Sequence, residues 1–203
     1  MDGLPGGVMW RFEDTDKYRF GREGEKWLRI WVQHKGYHVV ALSDIDRNGG
    51  TPVAESSEER IILPDDLLLK DGKPLFVEYK TKSRITYNQI RHRYEHGIPV
   101  RLWNDYRAIE IQSGIDGVLI ILQLTDPKIL IGLLKNIAKG SAVYSGSKFP
   151  EPMIFFDVNC FDRFDLRDGS GHMVDSLPQP KPPSIIHPWE KRKPLEGRQY
   201  PLM

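Results

Sequence analysis

The first long patterned segment, residues 22–35, places apolar and polar side chains at helical spacing. The apolar residues that share one helix face are Trp27, Leu28, Trp31 and Val32. Gly36 follows them, and a glycine in that position commonly ends a helix. The pattern predicts an amphipathic helix over 22–35, then a short strand over 37–43 and a polar loop over 47–60.

Two β-rich runs come next, at 61–70 and 73–80, and only Asp71 and Gly72 separate them. Asp-Gly between apolar runs is the strongest short-range signal for a β-hairpin. Beyond the hairpin, the pattern predicts helices at 86–96 and 104–112, a buried strand at 117–124, a helix at 127–139 and a final strand at 153–158. Frequent prolines exclude regular structure over most of 170–203.

The predicted hairpin brings acidic side chains together. In the register that a two-residue turn imposes, Asp65 lies directly opposite Glu78, with Cβ atoms about 5 Å apart. Asp66 falls on the other face of the sheet, whereas Lys80 shares the face of Glu78 because strand residues alternate. Two carboxylates directly opposite each other are destabilising unless a cation lies between them. The register therefore predicts a compact cluster of Asp65, Glu78 and Lys80 that calls for a cation.

A divalent metal ion would offset the repulsion between Asp65 and Glu78. Mg²⁺ prefers one or two carboxylates together with waters and substrate phosphate. In the ordinary alternative, the Pro-Asp-Asp triplet at 64–66 is a strand-entry turn, and Glu78 with Lys80 is an ion pair on a solvated face. The joint occurrence of the proline, both acids, the lysine and an in-register turn favours the metal site. We therefore expect Mg²⁺ as cofactor, with Mn²⁺ as a substitute.

The composition is that of a globular protein. The chain has 203 residues, of which 39% are hydrophobic and 28% charged, which suits one domain with extensions. The longest apolar run, 117–122, is too short to cross a bilayer, so no membrane association is expected. The first ten residues lack a signal-peptide pattern, and Cys160 is the sole cysteine, which excludes an intramolecular disulfide. A cytoplasmic (intracellular) location is expected, and the sequence leaves a viral or phage origin open. The net charge of +1 favours no class of partner.

Pro64-Asp65 followed by Glu78-Tyr79-Lys80 resembles the signature of the PD-(D/E)xK nuclease superfamily. The segment 21–40 is similar to the opening helix and strand of archaeal-type Holliday junction resolvases. The resemblance covers about residues 18–124. It implies an α/β fold with a restriction-endonuclease-like central mixed β-sheet flanked by helices. The nuclease-like domain is expected at 1–169, with a helix and a strand added after the core and an irregular Pro-rich tail at 170–203.

The resemblance also implies a reaction, which is metal-assisted hydrolysis of phosphodiester bonds. Asp65 and Glu78, with the Tyr79 carbonyl, would hold Mg²⁺ against the scissile phosphate. Lys80 would orient the attacking water or stabilise the transition state. The substrate expected is nucleic acid, with DNA favoured and branched or junction DNA included. A homodimer is expected by analogy, since a duplex has two strands to cut.

Two further catalytic residues follow from the resemblance. In the resolvases a helix glutamate stands eleven residues before the glycine that ends the helix, and Glu25 holds that position before Gly36. Glu23 is a near neighbour on almost the same helix face, and the spacing favours Glu25. Gln89, on the helix predicted at 86–96, resembles the polar helix residue that many members of the superfamily direct at the site. An ordinary exposed glutamine is an equally weighted alternative.

The stretch 79–107 is basic and rich in aromatic residues, a composition suited to a phosphate backbone and splayed bases. Its seven basic residues are Lys80, Lys82, Arg84, Arg91, Arg93, Arg101 and Arg107, against two acids, Glu95 and Asp105. Its aromatic residues are Tyr79, Tyr87, Tyr94, Trp103 and Tyr106. We predict nucleic-acid contacts for Lys82, Arg84, Arg91 and Arg93, most strongly for the first two because they follow the active strand.

Two other functions fit parts of the sequence. His92 to His96 matches the H-x-x-E-H zinc motif, in which two histidines one helical turn apart ligate zinc. A zinc hydrolase using 92–96 is therefore one alternative, although Gly97 and Pro99 end the predicted helix at the second histidine. The other is a nuclease-fold domain that binds nucleic acid or protein without cutting, for which the proline-rich segment 178–183 offers a docking motif. The sequence leaves open DNA versus RNA, endo- versus exonuclease action, and junction versus linear substrate.

Overall fold

The computed structural model describes residues 16–42, 53–55, 60–83, 85–125, 127–146 and 151–166. Arg84, the tail at 170–203 and most of the loop predicted at 47–60 lie outside the described residues. The helices are α1 (Asp16–His34), α2 (Val100–Ser113) and α3 (Leu134–Ile137), with 3-10 turns at Ala138–Gly140 and Val158–Cys160. The strands are β1 (His38–Ala41), β2 (Val53–Glu55), β3 (Arg60–Ile62), β4 (Asp66–Lys70), β5 (Lys73–Lys82), β6 (Thr86–Asn88), β7 (Arg93–Pro99), β8 (Gly117–Gln123), β9 (Lys128–Leu133), β10 (Ala142–Tyr144), β11 (Met153–Asp157) and β12 (Asp162–Asp165).

The largest sheet has six strands in the order β1-β4-β5-β8-β9-β12. The central strands β5 and β8 are parallel, and all other neighbouring strands of this sheet are antiparallel. Strand β8 is buried along its whole length, as expected for a strand covered on both faces. The predicted fold class, α/β with a central mixed sheet flanked by helices, is confirmed.

The β4–β5 hairpin has the register that its turn residues predict. Lys70 lies opposite Lys73 and Asp66 lies opposite Val77. Asp71 and Gly72 have φ angles of 51° and 72°. Positive φ at both central residues is the requirement of the type I′ turn, whose twist matches that of the flanking strands. The local turn chemistry therefore aligns the whole hairpin.

Helix α1 covers one face of the large sheet and includes the helix predicted at 22–35. Its buried Trp27 and Leu28 belong to one apolar core together with Val77 and Tyr79 of β5. Gly24 makes the close approach of helix and strand feasible, since a Cβ atom there would lie 1.9 Å from the Thr81 hydroxyl oxygen. The small residue lets the helix lie directly against the end of β5.

The other face of the large sheet is covered by α2 and by a four-stranded sheet in the order β10-β11-β7-β6. Leu119 and Ile121 of β8 share a second apolar core with Ile98 of β7, Tyr106 of α2 and Phe156 of β11. Strands β2 and β3 form a separate two-stranded sheet. Within the described residues, no helix is long and apolar enough to span a membrane.

The helix predicted at 86–96 is wrong, because this segment forms the β6–β7 hairpin. Strand β7 pairs with β6 on one side and β11 on the other, and its central residues are buried. Gly97 allows the Phe155 ring of β11 to pack there, since a Cβ atom would lie 2.7 Å from that ring. Burial between two strands outweighs the local helical pattern of charged residues.

The helix predicted at 127–139 is also wrong over most of its length. Residues Lys128–Leu133 form β9 between β8 and β12, and the α-helix is confined to Leu134–Ile137. The strand predicted at 153–158 is confirmed as Met153–Asp157, but β12 follows it and completes the large sheet. An apolar run flanked by a proline is compatible with a helix or a strand. Here it forms a strand because the edge of β8 offers backbone hydrogen-bond partners.

Candidate active site

Asp65 lies directly before β4, and Glu78 lies in the middle of β5, which is its hairpin partner. The Asp65 carboxylate accepts a hydrogen bond of 2.8 Å from the backbone N–H of Tyr79, which holds it against β5. Glu78 is 4% exposed. Burial and the neighbouring Asp65 carboxylate raise the pKa of Glu78 to about 7, while Lys80 acts in the opposite direction. The site therefore holds the buried Glu78 carboxyl group close enough to Asp65 for the two negative charges to repel each other.

Lys80 provides the positive charge beside these acids. Its ammonium group forms an ion pair with Glu78. Burial opposes the charge on Lys80, but Glu78, Asp65 and Glu25 outweigh that effect and raise its pKa. Lys80 is thus a fixed cation among three carboxylates rather than a candidate proton acceptor.

Glu25, and not Glu23, faces this cluster from α1. Glu23 is exposed, whereas the Glu25 side chain is 23% exposed and forms a 3.1 Å ion pair with Arg22. Burial, followed by the Asp65 charge, raises the pKa of Glu25, and Lys80 lowers it. The helix carboxylate therefore shares the electrostatic environment of Asp65 and Lys80.

Asp66, next to Asp65 in the chain, has a different environment. It is fully buried, and the Arg29 guanidinium of α1 donates two hydrogen bonds to its carboxylate, at 2.6 and 2.7 Å. Because Asp66 pairs with Val77, whose side chain belongs to the core beneath α1, it lies on the opposite sheet face from Glu78. Asp66 anchors α1 to β4, which leaves Asp65 as the acid beside Glu78.

Tyr106 of α2 is a site residue that sequence reasoning placed only among the aromatics of a basic stretch. Its buried side chain hydrogen-bonds Glu78. Burial, together with the charge of Glu78, raises the pKa of Tyr106, so its hydroxyl stays protonated and donates. The sequence carries no local signal of this contact, because it depends on where α2 crosses the sheet.

The residues present fit a hard divalent cation held by few protein ligands. Asp65 and Glu78 supply carboxylate oxygens, the donors that Mg²⁺ takes when waters and substrate phosphate complete its shell. Among the described residues, no three His, Cys, Asp or Glu side chains are arranged as a complete metal-binding group. A Mg²⁺ site here would therefore rest on two carboxylates. Burial first, and then the charge of Asp65, raise the pKa of Glu78, and a bound cation would oppose both effects.

The four residues predicted to contact nucleic acid have different environments. Lys82 follows Lys80 on the same face of β5, whereas Arg84 lies outside the described residues. Arg91 and Arg93 both bond the Glu95 carboxylate, at 3.3 and 2.6 Å, and Arg93 also bonds the Gly140 carbonyl. These two arginines hold a buried acid in place, so the structure gives them a role within the fold.

Gln89 lies in the turn between β6 and β7, where it is exposed. The prediction of a helix that directs Gln89 at the site is therefore wrong. The segment turns back after Asn88, whose side-chain oxygen accepts hydrogen bonds from the backbone of Ile90 and Arg91. That side-chain cap stabilises a tight turn in place of a helix.

The histidines of the H-x-x-E-H motif do not share a helix face. His92 has a φ angle of 49° in the β6–β7 turn, and His96 is a buried residue of β7. His96 hydrogen-bonds Gln123 at 3.4 Å, and burial lowers its pKa to about 4. Glu95, the base of the motif, is bound by two arginines. The zinc-hydrolase alternative is wrong because the motif requires a helix that does not form.

No protein-family model matches the sequence, and no curated protein matches it. Among solved structures, the chain is similar to Hjc of Archaeoglobus fulgidus, a Holliday junction resolvase from an archaeal hyperthermophile. The two share 10% sequence identity with a TM-score of 0.43, over 70% of this chain and 91% of that chain. A likeness at this level carries no information about activity.

Proposed function

We propose that this protein is a metal-dependent nuclease that hydrolyses phosphodiester bonds in nucleic acid, with DNA favoured. The observation that supports this most is the gathering of Glu25, Asp65 and Glu78 around Lys80. Such a surplus of acid is costly for a structural ion-pair network, but it suits a site that completes its charge balance with a metal ion and a phosphate.

Asp65 and Glu78 would hold Mg²⁺, which polarises a phosphoryl oxygen and supplies a hydroxide-like nucleophile near neutral pH when bound. Tyr106 donates a hydrogen bond to the Glu78 carboxylate and would restrict its movement. Lys80 would stabilise the negative charge that builds on the phosphoryl oxygens, a role that suits a cation kept charged by its acidic neighbours. Glu25 would hold the attacking water by accepting a hydrogen bond from it.

The decisive experiment separates metal ligand from catalyst. Cleavage of single strands, duplexes, flaps and four-way junctions is measured with Mg²⁺ and Mn²⁺, and Mn²⁺ binding is measured by calorimetry. Glu78→Gln is expected to lose both Mn²⁺ binding and cleavage. Lys80→Ala is expected to keep Mn²⁺ binding and lose turnover by at least about 100-fold, since its role lies in the transition state.

A matched pair on α1 provides the control. Glu25→Gln is expected to reduce turnover, whereas Glu23→Gln changes an exposed acid two residues away and should leave it unchanged. If Glu78→Gln binds Mn²⁺ as wild type does, or if no nucleic acid is cleaved with either metal, the proposed function is wrong. Binding of nucleic acid without any cleavage would instead indicate a domain that binds nucleic acid and does not cut it.

A further inference from the structure

A cleft of about 530 Å³ opens between the two sheets, beyond the carboxyl ends of β5 and β8. Its walls come from the β6–β7 hairpin and the 3-10 turn after β11, and its floor from the large sheet. The lining residues that carry its chemistry are Tyr87, Tyr94, Gln123, Lys128, Asn159 and Arg163. Among the described residues that line it there is no Asp or Glu. The cleft thus combines aromatic rings, amides and cations.

Tyr87 and Tyr94 lie opposite each other on β6 and β7, with ring centroids 5.0 Å apart in an edge-to-face arrangement. They are 47% and 55% exposed, which is unusual for paired aromatic rings. Tyr94 points to the same side of β7 as His96, whose ring contacts Gln123 of the large sheet. Both rings therefore face the floor of the cleft while leaving surface open to solvent.

One face of the large sheet carries a row of polar side chains across three strands, and two of them, Gln123 and Lys128, line the cleft. Lys82 is the register partner of Gln123 in β8, and Gln123 is the partner of Lys128 in β9. Cross-strand partners project from the same sheet face, so these three side chains lie side by side. Arg163 of β12 adds a further cation at the far wall, where it donates a hydrogen bond to Asn159. Beyond Lys128 the row ends at the exposed Asp165.

This row is continuous with the candidate active site. Glu78, Lys80 and Lys82 alternate onto one face of β5, so Lys82 lies about 7 Å along the strand from Lys80. Lys82 is close enough to His96 to influence its pKa, and the His96 ring contacts Gln123. A single path on one sheet face therefore leads from Glu78 through Lys82 to the cleft.

We propose that this cleft binds one unpaired nucleotide of a single-stranded segment adjacent to the scissile phosphate. This inference rests on the proposed nuclease function. The base would stack on Tyr94 or Tyr87, an interaction that every base can make through its π-face. The phosphate would lie against Lys128 and Arg163, and the amides of Gln123 and Asn159 would meet the base edge. A volume of about 530 Å³ suits a small ligand and not a duplex.

The proposal predicts a preference for substrates with an unpaired strand. Single strands and flaps should bind more tightly than a blunt duplex of the same length, in both DNA and RNA versions. The two versions show which sugar the cleft accepts, since base and phosphate are common to both. An oligonucleotide carrying 2-aminopurine is the probe for stacking, because its fluorescence is quenched when the base stacks on an aromatic ring.

The variants are Tyr87→Leu, Tyr94→Leu and Lys128→Gln, measured in EDTA by anisotropy and by 2-aminopurine quenching. Each tyrosine variant is expected to weaken single-strand binding at least about fivefold and to reduce quenching. Phe164→Leu is the control, because Phe164 is also a half-exposed ring but packs on Trp31 on the opposite face of the large sheet. Circular dichroism shows whether each variant is folded. Tyr94→Phe keeps the aromatic ring and should therefore bind and quench like wild type.

The outcomes distinguish the inference from the proposed function. If wild type cleaves but both tyrosine variants bind and quench like wild type, the cleft assignment is wrong and the nuclease stands. If nothing is cleaved but binding depends on the tyrosines, the nuclease is wrong and the cleft remains a nucleotide site. Equal affinity of wild type for blunt duplex and for single strand would also overturn the inference.

Discussion

Among the described residues, two glutamates in mid-strand positions are almost completely buried, and their surroundings differ. Glu95 of β7 is 1% exposed and is bonded by Arg91, Arg93 and the side-chain amide of Asn88. Arg93 also pairs with Asp157 at 3.4 Å, so two acids meet two arginines. The Glu95 cluster, defined by these residues, is balanced in charge and rich in hydrogen bonds.

Glu78 of β5 is buried to a similar extent, but it shares Lys80 with Asp65 and Glu25. Its pKa rises to about 7 because burial and Asp65 both disfavour the charge. Lys80 and Tyr106 both bond Glu78, but three acids meet only two cations here, Lys80 and Arg22. The surplus of acid distinguishes the surroundings of Glu78 from the charge-balanced Glu95 cluster, although both glutamates look alike in the sequence.

The largest effect on stability is expected from the matched substitutions Glu95→Gln and Glu78→Gln. Removing the Glu95 charge takes one partner from each of two partly buried arginines, and breaking such a network around a buried acid costs up to about 3–5 kcal/mol. Glu78→Gln should be neutral or stabilising without metal, because Lys80 keeps two other acids nearby. Urea denaturation at pH 8 in EDTA measures the free energy of unfolding of both variants and of wild type. Equal losses for the two variants would mean that the Glu78 cluster is structural as well.

The pH dependence of unfolding offers a sharper version of the same comparison. The pKa of Glu78 is raised in the folded state from its ordinary 4.5 to about 7. Between these values the folded chain binds more protons than the unfolded chain, so Glu78 lowers stability as pH rises through that window. One pKa unit corresponds to about 1.4 kcal/mol, so the full effect is about 3 kcal/mol at most.

Subtracting the unfolding free energies of Glu78→Gln from those of wild type, from pH 4.5 to 8 in EDTA, isolates this contribution. The unfolding free energy of wild type should fall relative to that of Glu78→Gln as pH rises, and the difference should become constant above about pH 7. His96→Gln is the opposite control, since burial lowers the pKa of His96 to about 4. Between pH 6.5 and 4 the unfolded chain binds a proton at His96 that the folded chain does not, so His96 should lower the free energy of unfolding as pH falls. A flat difference for Glu78→Gln would contradict the account of its surroundings.

A smaller effect is expected from moving Glu25 without changing any charge. In Gly24→Ala the new Cβ atom would lie 1.9 Å from the Thr81 hydroxyl oxygen, so α1 must shift away from β5. Overpacking of this kind costs about 1–3 kcal/mol. Gly21→Ala is the matched control, because nothing lies within 4 Å of its Cβ position and alanine favours a helix.

Thermal unfolding and cleavage rates are compared for the two glycine variants. Gly24→Ala should lose both stability and turnover, while Gly21→Ala should gain slightly in stability and keep full turnover. Loss of stability with turnover unchanged would remove Glu25 from the proposed site.

The smallest effect concerns binding. Lys82→Glu should raise substrate KM several-fold more than it lowers kcat, because a phosphate contact away from the scissile bond stabilises ground and transition states alike. The dependence of affinity on salt should become shallower. Arg91→Gln, which removes one partner of Glu95, should instead reduce stability and leave the salt dependence unchanged. If both variants behave alike, Lys82 has no separate role in binding.

Local chemistry determined several parts of this protein. The Asp71-Gly72 turn specifies the β4–β5 register, and the register specifies that Asp66 and Glu78 point to opposite faces. Apolar spacing specifies α1, and the continuous apolar run specifies β8. These features depend on residues close together in the chain, so turn geometry and periodicity are sufficient to predict them.

Long-range packing decided the rest. Residues 86–96 and 127–139 have patterns compatible with helices, but most of 86–96 and residues Lys128–Leu133 form strands because neighbouring strands offer backbone partners and an apolar surface. The same packing turned Arg91 and Arg93 toward Glu95 and brought Tyr106 to Glu78. It also separated the five aromatic residues of 79–107 into buried or partly buried rings and the exposed pair Tyr87 and Tyr94. The sequence determined which acids could meet across one hairpin, because that contact is local. Which charges remained without enough partners was decided by the tertiary structure, because burial and the distances between distant elements set that balance.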